Sequence, residues 1–228
     1  MILTLAAHLA RAVPWWPFAG AVALAGFVQS PTLLVAEPHP RMAVTGLLIG
    51  AGVLGAAAGF ALPDLMASTV ITPVPRWRRQ WLRLVLLLVP SMLVWVVLHA
   101  AVRAGAGPSV TWPAGFVTLQ AAVCGLLPVA VAAVGARYRD EAGGALLGPV
   151  AQGIAMVVSL FFTGRSSPWS LPVDADWTTA QRVWPVMLAL VVIVLLLANR
   201  ETACPPRGRR RPAAAGETGD WGRRGISV

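Results

Sequence analysis

Six stretches of this sequence run for 16 to 22 residues without a single Asp, Glu, Lys or Arg, and they constrain everything else the chain can form. An α-helix needs about 20 apolar residues to cross the roughly 30 Å hydrocarbon core of a bilayer. Inside hydrocarbon, backbone N–H and C=O groups must be satisfied within the segment, which selects helices. The stretches are Trp15 to Ala36, Met42 to Leu62, Leu84 to Val102, Ala114 to Gly135, Gly143 to Gly164 and Val183 to Ala198. The expected fold is therefore all-α, a polytopic integral membrane helix bundle of about six transmembrane helices. Pro31, Pro90, Pro128 and Pro149 fall inside the stretches, where neighbouring helices tolerate a kink. The link from Glu37 to Arg41 is short, which leaves a re-entrant pair open as an alternative for the first two stretches.

Composition agrees with burial in lipid. Only 12% of the residues are charged, about half of the roughly 25% that covers a soluble domain. All 18 basic residues are arginine, against nine acids, for a net charge of +9. That excess could suggest nucleic acid, but the arginines lie in the links and the tail rather than on one basic face. No nucleic-acid partner is expected; the bilayer is. With the N-terminus inside, the inner segments hold Arg11, Arg76, Arg78, Arg79, Arg83, Arg137, Arg139 and the seven arginines from Arg200 onward. The outer segments hold Arg41, Arg103, Arg165 and Arg182. The positive-inside rule then places both termini in the cytoplasm, which an even number of spans requires.

Three regions follow: an interfacial segment over 1–14, a six-span domain over 15–198, and a disordered basic cytoplasmic tail over 199–228 with Pro205-Pro206 and Arg209-Arg210-Arg211. The chain's start is expected to be an uncleaved first helix, because Pro14-Trp15-Trp16-Pro17 interrupts the charged-to-apolar junction of a signal peptide.

The missing lysine excludes whole classes of chemistry. A P-loop needs its lysine on the phosphates, and a Schiff-base enzyme needs its amine. There is no HExxH or GxSxG pattern, and Cys124 and Cys204 have no CxxC partner. Asp174 and Asp176, near Ser166, Ser167, Trp169 and Trp177, lack a histidine to work with. No catalytic activity, metal or cofactor is expected. Asp64, at the end of the second stretch, is too peripheral to serve as the buried carboxylate of a proton-driven carrier.

Three sets of residues stand out. From Pro73 to Arg83 the sequence reads PVPRWRRQWLR. On a helix, Arg76, Arg79 and Arg83 fall within about 60° of one another, with Trp77 and Trp81 opposite. With Arg78 they form an amphipathic cytoplasmic segment (73–83), either a topology anchor with tryptophans at headgroup depth or a docking surface for a partner. The second stretch carries Gly46, Gly50, Gly52, Gly55 and Gly59, two small-xxx-small pairs joined by a glycine on nearly the opposite side, as in a central helix packed on both flanks. His99, Gln120 and Gln152 are the polar groups singled out within the spans, as hydrogen-bonding glue or as a substrate site.

Two passages carry a family resemblance: Thr72-Pro73-Val74-Pro75-Arg76-Trp77-Arg78-Arg79 running into an aliphatic span, and a last span entered at Trp184-Pro185 and left through Asn199-Arg200-Glu201. Together they resemble the compact six-span permease subunits of ABC-2-type exporters of high-GC actinobacteria. Where that pattern has an acidic pair at the end of span two, this chain has Leu62-Pro63-Asp64. The resemblance implies an exporter subunit in a bacterial plasma membrane, powered by a separate ATP-binding-cassette protein and paired with a second permease as a homodimer or heterodimer. It also implies that the segment Pro75 to Arg83, with Arg76, Trp77, Arg78, Arg79, Trp81 and Arg83, couples the spans to the ATPase. The competing class is a channel, a small carrier not driven by ATP, or an accessory scaffold.

Overall fold

The computed structural model describes residues 10–11, 13, 15–35, 39–62, 76–105, 112–138, 143–162, 167–170, 174 and 177–200. Most of the expected interfacial segment, the start of the amphipathic segment and the tail from 201 lie outside the described residues. Among those described, every regular element is helical: α1 (Trp15–Leu34), α2 (Pro40–Gly59), α3 (Arg76–Gly105), α4 (Ala114–Tyr138), α5 (Gly143–Ser159), α6 (Trp177–Gln181) and α7 (Val183–Ala198).

Four of these are long and apolar enough to cross a membrane: α1, α2, α3 from Gln80 onward, and α4. At 1.5 Å per residue, the 17 residues of α5 and the 16 of α7 reach about 25 Å, short of the hydrocarbon thickness. The reason is local. After Ser159, Leu160 and Phe161 close back on Val157 and Val158 in turn hydrogen bonds. The apolar run of α7 ends at Asn199-Arg200.

The helix boundaries follow from the residues there. His39 caps α2, its Nδ1 accepting from Arg41 N–H at 3.3 Å, and Pro40 takes the first helical position, where no N–H is missed. At the other end, Phe60, Ala61 and Leu62 donate to the carbonyls three residues back, tightening the last turn. Inside α1, Pro31 lacks the N–H that would bond the Phe27 carbonyl, and the Ser30 hydroxyl donates to it at 2.7 Å. The end of α7 is closed from two sides. The Asn199 amide donates to Leu195 O at 2.9 Å, and Arg137 of α4 donates to Leu197 O at 2.8 Å.

The α2–α4 pair is the spine of the bundle. In its most apolar stretch α2 is 72% buried and α4 56%, against 22% for α1 and α3. Helix α2 packs against α1, α3 and α4; α4 carries α5 and α7 on its other side. Two apolar clusters fill the ends. One gathers Leu84, Leu87, Val129, Ala133, Val191 and Leu195 at the end where α4 and α7 finish, here the Arg137 end. The other surrounds Leu47, Val102, Phe116 and Trp184 where those helices begin, the Trp184 end. Outward-facing Phe27, Val89, Leu93, Ile154, Leu190 and Ile193 are exposed. Such a jacket suits lipid and would be a liability in water. The architecture is that of a membrane-embedded helix bundle.

Candidate functional site

Helix α2 provides the notches into which polar side chains settle. A Cβ at Gly46 would lie 2.8 Å from Gln29 Nε2 of α1, and one at Gly52 would lie 2.7 Å from Gln152 Nε2 of α5. Gly50 faces the Ala25 methyl, and Gly59 the Ala132 methyl at 3.0 Å. At Gly55 any side chain would collide with the Gly125 carbonyl oxygen of α4, so two helix backbones touch there. Across the spine, Gly148 of α5 sits 2.6 Å, measured from the Cβ it lacks, from Pro128 O.

The interior polar residues have separate partners. Fully buried Gln29 donates through Nε2 to Ala43 O at 3.3 Å. Trp95 of α3 donates to Leu47 O of α2 at 3.0 Å, and His99 stacks on its ring, centroids 5.1 Å apart and nearly parallel. Gln120 is 1% exposed and donates to Pro168 O at 3.2 Å, tying α4 to the loop before α6. Gln152 rests on Gly52. His99, Gln120 and Gln152 are thus each held by a different partner. Gln29 and Trp95 belong with them and are not singled out by the sequence. A glutamine four residues beyond Ala25 and two before Pro31 is the signal that Gln29 leaves.

The Trp184 end is dense in aromatic rings. Trp112, Phe116 and Trp184 belong to the buried cluster, with Trp169 and Trp177 packed on it. Phe116 meets Trp177 edge-on at 5.7 Å, and Trp169 meets Trp184 at 5.7 Å. Arg41, at the start of α2, donates to Asp174 Oδ1 at 2.7 Å, so the aspartate is drawn into an ion pair across 133 residues of sequence. Asp176 and Ser166 lie outside the described residues. Among the described residues no group of three or more His, Cys, Asp and Glu side chains could hold a metal ion.

At the opposite end, Arg76 to Arg83 form the first turns of α3, continuous with its apolar length. Arg78 is exposed, Trp81 and Arg83 are partly buried, and the side chains of Arg76, Trp77 and Arg79 are outside the described residues. From Arg76 the amphipathic segment runs into the third span as the polar end of one 30-residue helix.

One cavity stands apart from the close-packed spine. It measures about 390 Å³ and lies against α4 at Cys124 and Leu127, between α5 and α7. From α5 come Gln152, Ala155, Met156 and Ser159; from α7 come Trp184 and Met187; Trp169 closes its end.

No protein-family model, curated protein or solved structure matches the chain.

Proposed function

We propose that the chain is a six-span, permease-like subunit of an ABC-type exporter in a bacterial plasma membrane, with both termini cytoplasmic and its energy supplied by a separate ATP-binding protein. In this reading the short helices α5 and α7 complete the membrane crossing with turn residues at their ends. The observation that carries it is the form of α3. Its arginine-bearing turns and its lipid-facing turns are one helix, so a push on Arg78 or Arg83 is delivered directly into the bundle. A chain without lysine has no P-loop of its own, which is why the motor must be another protein.

The coupling role is tested by replacing Arg76, Arg79 and Arg83 together with glutamine. Export of whatever substrate depends on this chain should be lost while membrane insertion and abundance stay normal; undiminished export by the triple variant sinks the coupling reading. Reporter fusions after Gly105, Gly164 and Ala198 read the topology, with the first two outside and the last inside.

A second reading is favoured by the interior itself. Gln29 and Gln152 are each wedged against a glycine and Gln120 is bonded to a loop, an arrangement that locks helices rather than lining a path. An accessory scaffold subunit fits that arrangement. Purification in mild detergent separates the two: an ATPase co-purifying with the chain supports the exporter, and a stable assembly without one supports the scaffold.

A further inference from the structure

The cavity beside α4 has properties that the exporter reading does not use. Gln152, Ala155, Met156 and Ser159 are spaced i, i+3, i+4 and i+7, so they form one face of α5. The adjoining face of the same helix shows Val150, Ile154, Val157 and Val158 to the surroundings. Helices α5 and α7 each pack on α4 without packing closely on each other, so the space between them opens sideways, between two lipid-facing surfaces. The cavity falls within the roughly 300–1,000 Å³ of ordinary small-molecule sites. From Ser159 down to Gln152 it extends about 10 Å along the bundle.

Its lining is almost entirely hydrocarbon, with a few polar groups. Ser159 is already committed, its hydroxyl donating to Met156 O at 2.6 Å. The Trp184 Nε1 and the Gln152 Oε1 are closed off from the cleft, so these two side chains offer it little but their carbon atoms. Its Trp169 and Trp184 end is the one nearer the end of the bundle, where tryptophans sit at headgroup depth. We propose that this cleft holds a single hydrocarbon chain of a bilayer lipid, with the carbonyl end of that chain toward Trp169 and Trp184. A second copy of the protein is a poorer occupant, since a helix with its side chains is about 10–12 Å across and the cleft is too small to admit one. The site requires only that the bundle sit in a bilayer, and it stands or falls independently of transport.

The test uses the full-length chain in lipid nanodiscs containing a trace of phosphatidylglycerol with a photoreactive diazirine midway along one acyl chain. After irradiation, adducts should concentrate on Met156 and Met187 over the lipid-facing residues Val89, Leu93, Val96 and Val97 of α3. Ala155→Phe, which fills the cleft from α5, should lower the cleft adducts about tenfold, leaving those on α3 unchanged. Met187→Trp obstructs it from α7 and carries the same expectation should Ala155→Phe fail to fold, as judged by its melting temperature. Adducts spread evenly over all lipid-facing positions would overturn the proposal. So would cleft adducts that survive in the folded variants.

Discussion

At the scale of single residues, two features make predictions with a sign. Ser30 donates to the carbonyl that Pro31 leaves without an N–H. Ser30→Ala should therefore destabilise the bundle by about 1 kcal/mol, measured as the midpoint of denaturant unfolding in micelles. The same change made beside Pro31→Ala should cost far less, because an alanine at 31 restores the backbone donor and the hydroxyl becomes redundant. Equal penalties in both backgrounds would show that the hydroxyl does nothing for the proline. The glycines of α2 also differ among themselves. At Gly55 the obstacle is the backbone of α4, which cannot give, whereas at Gly52 it is the end of the Gln152 side chain, which can swing aside. Gly55→Ala should thus cost about 1–3 kcal/mol as an overpacked contact, and Gly52→Ala clearly less, by the same unfolding assay.

At the scale of elements, the helical class and the extents of α1, α2 and α4 are legible in the apolar runs, and the start of α2 in His39-Pro40, while α3 reaches back past its apolar run to Arg76. Other features are not, because they depend on neighbours distant in sequence. Nothing in the run from Gly143 to Gly164 marks Ser159 as the last helical residue, since the turn at Leu160 and Phe161 uses side chains as apolar as the helix. Nor does the spacing of the glycines say which of them will meet a glutamine and which a carbonyl. The pairing of Gln120 with Pro168 is equally hidden, as both residues lie in unremarkable contexts 48 positions apart. The C-terminal closure of α7 is a further case. Arg137 reads as a topology charge at the end of α4, yet its guanidinium donates to the Leu197 carbonyl of α7, which also accepts from the Arg200 N–H. Arg137→Gln should loosen the last turn of α7, seen as faster amide exchange from Leu195 to Arg200, and leave α1 to α3 unaffected.

At the scale of the whole molecule, the ion pair of Arg41 with Asp174 joins the start of α2 to the loop before α6, but its arginine is 62% exposed. Exposed pairs contribute about 0–1 kcal/mol. Asp174→Asn should therefore lower unfolding stability by no more than that, and only at low salt; a loss of several kcal/mol would mean the loop is held chiefly by this pair. The larger structural commitment is the direct touch of Gly55 on Gly125. Seventy positions separate them. At a synthesis rate of about 5–20 residues per second, Gly125 is polymerised roughly 4 to 14 s after Gly55. Throughout that interval the nascent α2 exposes bare backbone with no partner, and a lipid or an insertion chaperone must stand in its place. The order of synthesis thus leaves this face of α2 uncovered until α4 arrives, and a ribosome stalled between α3 and α4 would leave three helices whose most intimate surface is still open.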